Sequence, residues 1–249
     1  MKEERREEER KEFDISRYKP YRDYRGLTKF KSLKEKKMSW PKIERKSILN
    51  GQYIIRPIWE YEIDEIVSVY REGYPELYGN TEMEVVLYPD SLLEYLHGKN
   101  GFMQENRLMI VIEKVEEKRL VGAVIIKIDP GNMSAFWEHG VIHPKYRGNK
   151  IFKELLTYCD KLTENTGAEY VSATAITSHS ASQKLLEELG WKTRGILPGA
   201  VAIWNHDDKY FRIPIIYFDK CYNGGEELTP QDMELTPKIE AISSCLELK

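Results

Sequence analysis

The chain has 249 residues, enough for one large domain with extensions. Its apolar share of 41% supports a core, but no apolar run nears the roughly 20 residues that cross a bilayer, and the charged start Met1-Lys-Glu-Glu-Arg-Arg6 has no secretory h-region. The net charge of −3 hides an asymmetry: residues 1–50 hold 17 basic and 10 acidic side chains, the rest 21 and 31, so a basic arm precedes an acidic body. Three scattered cysteines, Cys159, Cys221 and Cys245, form neither a disulfide framework nor a metal-ligand spacing. A reduced, cytoplasmic protein that holds no metal is expected.

Residues 1–12 are nearly all charged, and 13–50 interleave aromatic with basic residues: Phe13, Tyr18, Tyr21, Tyr24, Phe30 and Trp40. No period of 2 or 3.6 emerges there. Such a segment packs on its own body, docks a partner protein or a second copy of the chain, or binds nucleic acid. Nucleic acid is the weakest of the three readings, and nothing points to a membrane.

From Gly51 the pattern becomes globular, and 51–220 is expected to be the folded body, followed by a polar tail, 221–249. Gln52–Pro57 reads as a strand. Ile63, Ile66, Val67 and Tyr70 fall on one helical face, predicting a helix from about Glu60 to Gly73. Pro75, Gly79, Asn80 and Pro89 predict a long loop or a broken helix over 74–89, and 91–97 a short helix. Leu108–Val115 and Leu120–Ile128 form a hairpin through Glu116–Arg119, and Asp129–Asn132 is a turn. Ala135–Ile142 alternates as a strand. Period 2 places Glu138 on one face with Phe136, Gly140 and Ile142, and His139 on the other. Tyr170–Ile176 is the next strand. Ser180–Leu189 is a helix whose Ser180 and Gln183 have capping-box spacing, ended by Gly190. Residues 196–204 and 211–218 are the last two strands, joined by the turn Asn205–Asp208. The order β, α, α, β, β, β, α, β, α, β, β predicts an α/β (α+β) fold: a mixed sheet with helices on both faces.

The most informative segment is Val141-Ile-His-Pro-Lys-Tyr-Arg-Gly-Asn-Lys-Ile-Phe152. A strand enters it and a helical face, Ile151, Leu155, Leu156, Cys159 and Leu162, leaves it. A strand–loop–helix turn presents unpaired N–H groups at the positive end of a helix dipole, a site for an anion such as a phosphate.

This order of elements, from about Gln52 to Phe218, resembles the GCN5-related N-acetyltransferase (GNAT) superfamily. Pro144-Lys145-Tyr146-Arg147-Gly148 matches that family's cofactor signature, while Lys150 and Phe152 stand where small residues are usual. His179-Ser-Ala-Ser-Gln-Lys-Leu-Leu-Glu-Glu-Leu-Gly-Trp191 resembles a second family segment. There His179 replaces the usual Asn, and Leu186 the Tyr that commonly protonates the departing thiolate. The resemblance implies a GNAT-like, mostly antiparallel sheet of about seven strands. It also implies acyl transfer from acetyl-CoA (coenzyme A) to the amine of a small molecule or amino acid.

On that resemblance Glu138 is the candidate general base and His179 a candidate proton donor. A backbone N–H near Ile142 or His143 would stabilise the developing oxyanion. Arg147, Gly148, Asn149, Lys150, Ile151 and Phe152 would take the pyrophosphate through their N–H groups. Ala173 and Ala175 would line the other side of the pantetheine channel, and Trp59, Tyr74 and Asp207 would meet the acceptor. The departures at Lys150, Phe152 and Leu186 leave a second reading open. In it the chain is a non-catalytic or acyl-CoA-binding accessory subunit that docks to a partner through its arm.

Overall fold

The structure is a computed structural model that describes residues 31–78, 83–97, 106–205, 209–228 and 235–246. Its strands are β1 (Lys46–Ile48), β2 (Tyr53–Pro57), β3 (Arg107–Lys114), β4 (Arg119–Asp129), β5 (Ser134–Ile142), β6 (Tyr170–Ile176), β7 (Lys192–Asn205) and β8 (Lys209–Cys221). They form one sheet in the order β1-β2-β3-β4-β5-β6-β8-β7. Every neighbouring pair is antiparallel except β5 and β6, which run parallel. The α-helices are α1 (Ile63–Gly73), α2 (Pro89–His97), α3 (Ile151–Asn165), α4 (Ala181–Glu188) and α5 (Pro237–Cys245). No helix among the described residues is long and apolar enough to cross a membrane.

The mixed, mostly antiparallel sheet follows the order expected from the sequence, with eight strands in place of about seven. The added strand, β1, lies in the basic arm and pairs with β2. The first helix opens as a 3-10 turn at Glu60–Glu62 before α1 begins, and the last two strands are longer than their alternating cores. Within 222–249, α5 is an element the sequence did not announce.

Two cores flank the sheet. On one face α3 packs Ile151, Leu155, Leu156, Cys159 and Leu162 against Ile110, Val124, Ile126, Ala135, Trp137, Val171 and Phe218. On the other, Ile63, Ile66, Val67 and Tyr70 of α1, with Leu92 and Leu96 of α2, cover Met109, Val111, Ala123, Ile125 and Val141. The apolar stripes at i, i+3, i+4 and i+7 are what hold these short helices, because burial rather than propensity stabilises them.

The described part of the arm lies on the α3 face. Met38, Trp40 and Ile43 pack against that core. Ser39 N–H donates to Thr166 O at 3.0 Å, the Tyr158 hydroxyl to Glu44 O at 2.8 Å, and Lys31 Nζ reaches Glu169 Oε1 at 2.7 Å. Of the aromatic residues expected to mark the arm, Phe13, Tyr18, Tyr21, Tyr24 and Phe30 lie outside the described residues.

The capping box at Ser180 is not formed. Ser180 is the N-cap of α4 but makes no side-chain cap bond, and Gln183 Nε2 donates instead to the carbonyls of Ile176 (3.1 Å) and His179 (3.0 Å). That side chain ties the β6–α4 loop together rather than closing the helix end.

Candidate active site between β5 and β6

β5 and β6 pair over four residues only, Ser134–Trp137 against Tyr170–Ala173. Beyond them Glu138–Ile142 has no partner on β6, and Thr174–Ile176 pairs on its other side with β8. Two parallel strands therefore part at their C-terminal ends and leave an opening in the middle of the sheet. The first loop at its mouth, His143–Lys150, leads into α3; the second, Thr177–Ser180, leads into α4. Ligands of open α/β sheets collect at this end, where strand C-termini and helix N-termini converge.

The opening is shaped by a bulge in β5. The β4–β5 register slips between Ala123 and Ile125, whose partners are Val141 and Glu138, and His139 has a left-handed backbone with φ of 51°. The extra residue shifts the alternation. Glu138 faces α1 and α2 while Ile142 joins the α3 core with Ala135 and Trp137, so these two lie on opposite faces, contrary to uninterrupted period-2 reading. His139 lies on the α2 side with Glu138 rather than opposite it, edge-on to the Tyr95 ring at 5.8 Å.

Two tyrosines one helical turn apart hold the bulge. The Tyr70 hydroxyl donates to His139 O at 2.6 Å, and the Tyr74 hydroxyl donates to Gly140 O. Burial pushes Tyr70 well above and Tyr74 up to about 12, so both remain donors at neutral pH. Each satisfies a carbonyl that the bulge removes from the sheet ladder. Gly73, between them and β5, has no room for a side chain: a Cβ there would stand 2.5 Å from Val141 Cγ2.

Glu138 is largely buried. Its Oε2 accepts from the Tyr95 hydroxyl and lies 3.7 Å from Arg107 Nε, whose guanidinium stacks 4.1 Å over the Tyr95 ring. Burial, then the bond to Glu138, pushes Tyr95 up to about 12, so it stays protonated and donates. Oε1 has no hydrogen bond among the described residues. Burial, with Arg107 adding, pushes His139 down to about 4, so its imidazole is neutral at pH 7.

At the mouth, Arg147 does not point at the opening. Its Nε donates to Ile142 O at 3.1 Å and its Nη2 to Gly73 O at 2.9 Å, capping the C-terminus of α1, and its own N–H goes to Pro144 O at 3.3 Å. The N–H groups of Gly148, Asn149, Lys150, Ile151 and Phe152 have no partner among the described residues. Lys150 is the N-cap of α3 with φ of 60°, the left-handed geometry for which glycine is the usual residue. The backbone thus keeps the shape of a glycine turn with lysine in it.

His143 N–H donates to Val121 O at 2.9 Å. That bond, with the Gly122–Ile142 register, turns the N–H of Ile142 away from β4 and toward the opening. Of the two N–H groups expected near the oxyanion, only that of Ile142 is unspent. The His143 ring is buried; Nδ1 accepts from Lys145 N–H, and Nε2 lies 2.8 Å from Glu72 Oε2.

Across the opening, Ala173 stands on the last paired rung and Ala175 beyond it, both with side chains buried in the α3 core. Thr174 between them is exposed. His179 is exposed in the β6–α4 loop at the mouth. Leu186 is buried in the α3-side core, so that slot holds no proton donor. Trp59 is not brought to the opening. It precedes α1 beside β2, three strands or roughly 14 Å from β5, and is half exposed. Asp207 lies outside the described residues. Among the described residues no three His, Cys, Asp or Glu side chains gather to hold a metal ion.

The residues that sequence reading missed are Tyr95 and Arg107; Tyr70 was expected, with Tyr61, Tyr74 and Tyr78, as a wall of the acceptor pocket or a core aromatic, not as the holder of a bulge. Tyr70 and Tyr74 are four apart on one helix, a spacing that sends both rings to one neighbour. Nothing in the pattern near Tyr95 or Arg107 pointed to Glu138.

A sequence profile described as the acetyltransferase (GNAT) family matches residues 63–191, just over half of the chain and every element around the opening. The chain belongs to that family. Beta-lysine N(6)-acetyltransferase of Methanosarcina mazei is 29% identical over 133 residues. The match covers 53% of this chain and 44% of the relative, so the chain spans less than half of that protein's length. Among solved structures, the ribosomal-protein-S5-alanine acetyltransferase of Vibrio fischeri superposes with a TM-score of 0.57 at 15% identity, covering 72% of this chain and 97% of the other. The spermidine N-acetyltransferase of Vibrio cholerae, solved with CoA and spermine, gives 0.56 at 16%, covering 71% and 99%. These likenesses show a shared fold.

Proposed function

We propose that the protein is an acetyl-CoA-dependent N-acetyltransferase whose acceptor is the primary amine of a small molecule, with an amino acid as the leading class. The observation that carries the reading is the opening beyond Trp137 and Ala173, with five unpartnered amides of the α3 N-terminus at its mouth. The residues present fit CoA. A diphosphate suits the amides of Gly148–Phe152, where the helix dipole adds to the hydrogen bonds. An extended amide-bearing chain suits the unpaired edges of Glu138–Ile142 and Thr174–Ile176. Acetyl-CoA supplies the activated acyl group.

The chain's own groups then divide the remaining work. The N–H of Ile142 stabilises negative charge developing on the acyl oxygen, and Tyr70 and Tyr74 keep it aimed by fixing the bulge next to it. Glu138 takes a proton from the acceptor ammonium, directly or through one water, at the unpartnered Oε1, and so frees the amine that attacks. An alkylammonium with a pKa near 10 must be deprotonated to attack, and a positioned base contributes roughly 10²–10⁴-fold. The amino-acid preference rests on the similarity to the beta-lysine acetyltransferase. Tyr74 and the exposed Tyr78 wall the acceptor side in this reading.

Leu186 favours a second reading. With a buried aliphatic side chain in place of a hydroxyl, the departing thiolate takes its proton from solvent, from His179, or not at all, as in a CoA-binding accessory subunit. The test is thiol release from acetyl-CoA across a panel of lysine, β-amino acids, polyamines and alanine-ended peptides. Turnover that is fastest with an amino acid supports the first reading. CoA binding without turnover on any member supports the second, and turnover confined to the peptides moves the acceptor to protein N-termini.

A further inference from the structure

Phe152 is the departure that most threatens a CoA site, since a large ring replaces a small residue on the first turn of α3, beside the amides that would hold a diphosphate. The structure places that ring against Gly140 of β5. Its Cζ and Cε2 atoms lie 3.3 and 3.5 Å from the position a Cβ on Gly140 would occupy, with Val124 Cγ2 at 3.5 Å. Gly140 is the one residue of β5 without a side chain. Its backbone does not need glycine, because its φ is outside the left-handed region that the neighbouring His139 occupies. What crowds a side chain there is the ring.

The strand has little freedom to retreat. Gly140 O is held by the Tyr74 hydroxyl, and the bulge beside it by Tyr70. A side chain at 140 would therefore displace the ring, which is only half-buried, rather than the backbone. We propose that Gly140 is a positioning residue for the cofactor cradle: it seats the Phe152 ring against β5 and keeps it clear of the diphosphate and pantetheine. This rests on the CoA-binding reading given above. The bulk added at 152 is then accommodated by the side chain missing at 140.

The test is a double-mutant cycle on the full chain, with CoA as the probe in calorimetric titration and acetyl-CoA kinetics alongside. Gly140→Val is expected to weaken CoA binding about tenfold and to raise the KM for acetyl-CoA more than it lowers kcat. In the Phe152→Ala background the same Gly140→Val change is expected to have no more than about a twofold effect, since the group it displaces is gone. Melting temperatures identify any variant that does not fold; if Gly140→Val is one, Gly140→Ala, with a single methyl at 3.3 Å from Cζ, takes its place with a smaller loss and the same rescue. Equal losses in both backgrounds, or a Gly140→Val protein that binds CoA like the wild type, overturn the proposal while leaving the function intact. A wild-type protein that binds no CoA overturns both.

Discussion

β5 has two halves that differ in almost every respect. From Ser134 to Trp137 it is bonded on both edges, and Trp137 is buried with its ring 4.6 Å from Trp191 and its Nε1 donating to Thr163 Oγ1 at 2.9 Å. From Glu138 to Ile142 one edge is open, a bulge breaks the ladder, and the hydroxyls of Tyr70 and Tyr74 take the carbonyls the bulge sets free. The first half is held by burial and regular pairing. The second is held by a few directed hydrogen bonds, which leaves its amides available to a ligand. One strand thus carries stability at one end and chemistry at the other.

The comparison is broken most forcefully in the closed half. Trp137→Ala should cost about 3–5 kcal/mol of stability, through the lost transfer and the cavity left behind. A chemical denaturation curve checks this, and any protein that remains folded should bind CoA nearly as before. Glu138→Gln in the open half should do the opposite, lowering kcat/KM at least about a hundredfold with little change in CoA affinity or in denaturation midpoint. Unchanged kinetics would remove Glu138 as the base.

His139 gives the open half a pH signature. Burial holds its imidazole at about 4 in the folded protein against 6.5 when unfolded. The unfolded chain therefore takes up a proton first as pH falls. The stability His139 preserves is full above about pH 6.5 and is lost progressively down to about 4, an amount on the order of 3 kcal/mol. Denaturation curves from pH 8 to 4 should fall less steeply for His139→Gln than for the wild type. Tyr70→Phe should cost about 1–3 kcal/mol by stranding the carbonyl of His139, and should lower kcat as the bulge relaxes. The smallest effect is expected at the mouth: Lys150→Gly removes the left-handed strain and should stabilise by up to about 1 kcal/mol, read as a small rise in melting temperature.

Much of this was legible in the sequence, and the failures are instructive. The strand into Val141 and the helix out of Ile151 were visible because alternation and a 3.6 period meet across a short Arg-Gly loop. β1 was not, because Lys46-Ser-Ile48 is too short to have a period. The bulge was invisible because the residue with positive φ is His139 rather than glycine or asparagine, and so the face of Ile142 came out reversed. Arg147 was expected to offer its N–H to an anion, yet that N–H goes to Pro144 O and its guanidinium caps α1, a use fixed only by where Gly73 ends up in space. Phe152 stood out by its bulk, but its pairing with Gly140 was not legible, because the two are 12 residues apart and meet only across the strand–helix turn.

The most direct measurement is amide-resolved NMR of the protein titrated with CoA. The amides of Gly148, Asn149, Lys150, Ile151 and Phe152, together with that of Ile142, should shift most, while those of Ser134–Trp137 stay in place. Saturating CoA that leaves Gly148–Phe152 unmoved would contradict the assignment of this opening as the cofactor site.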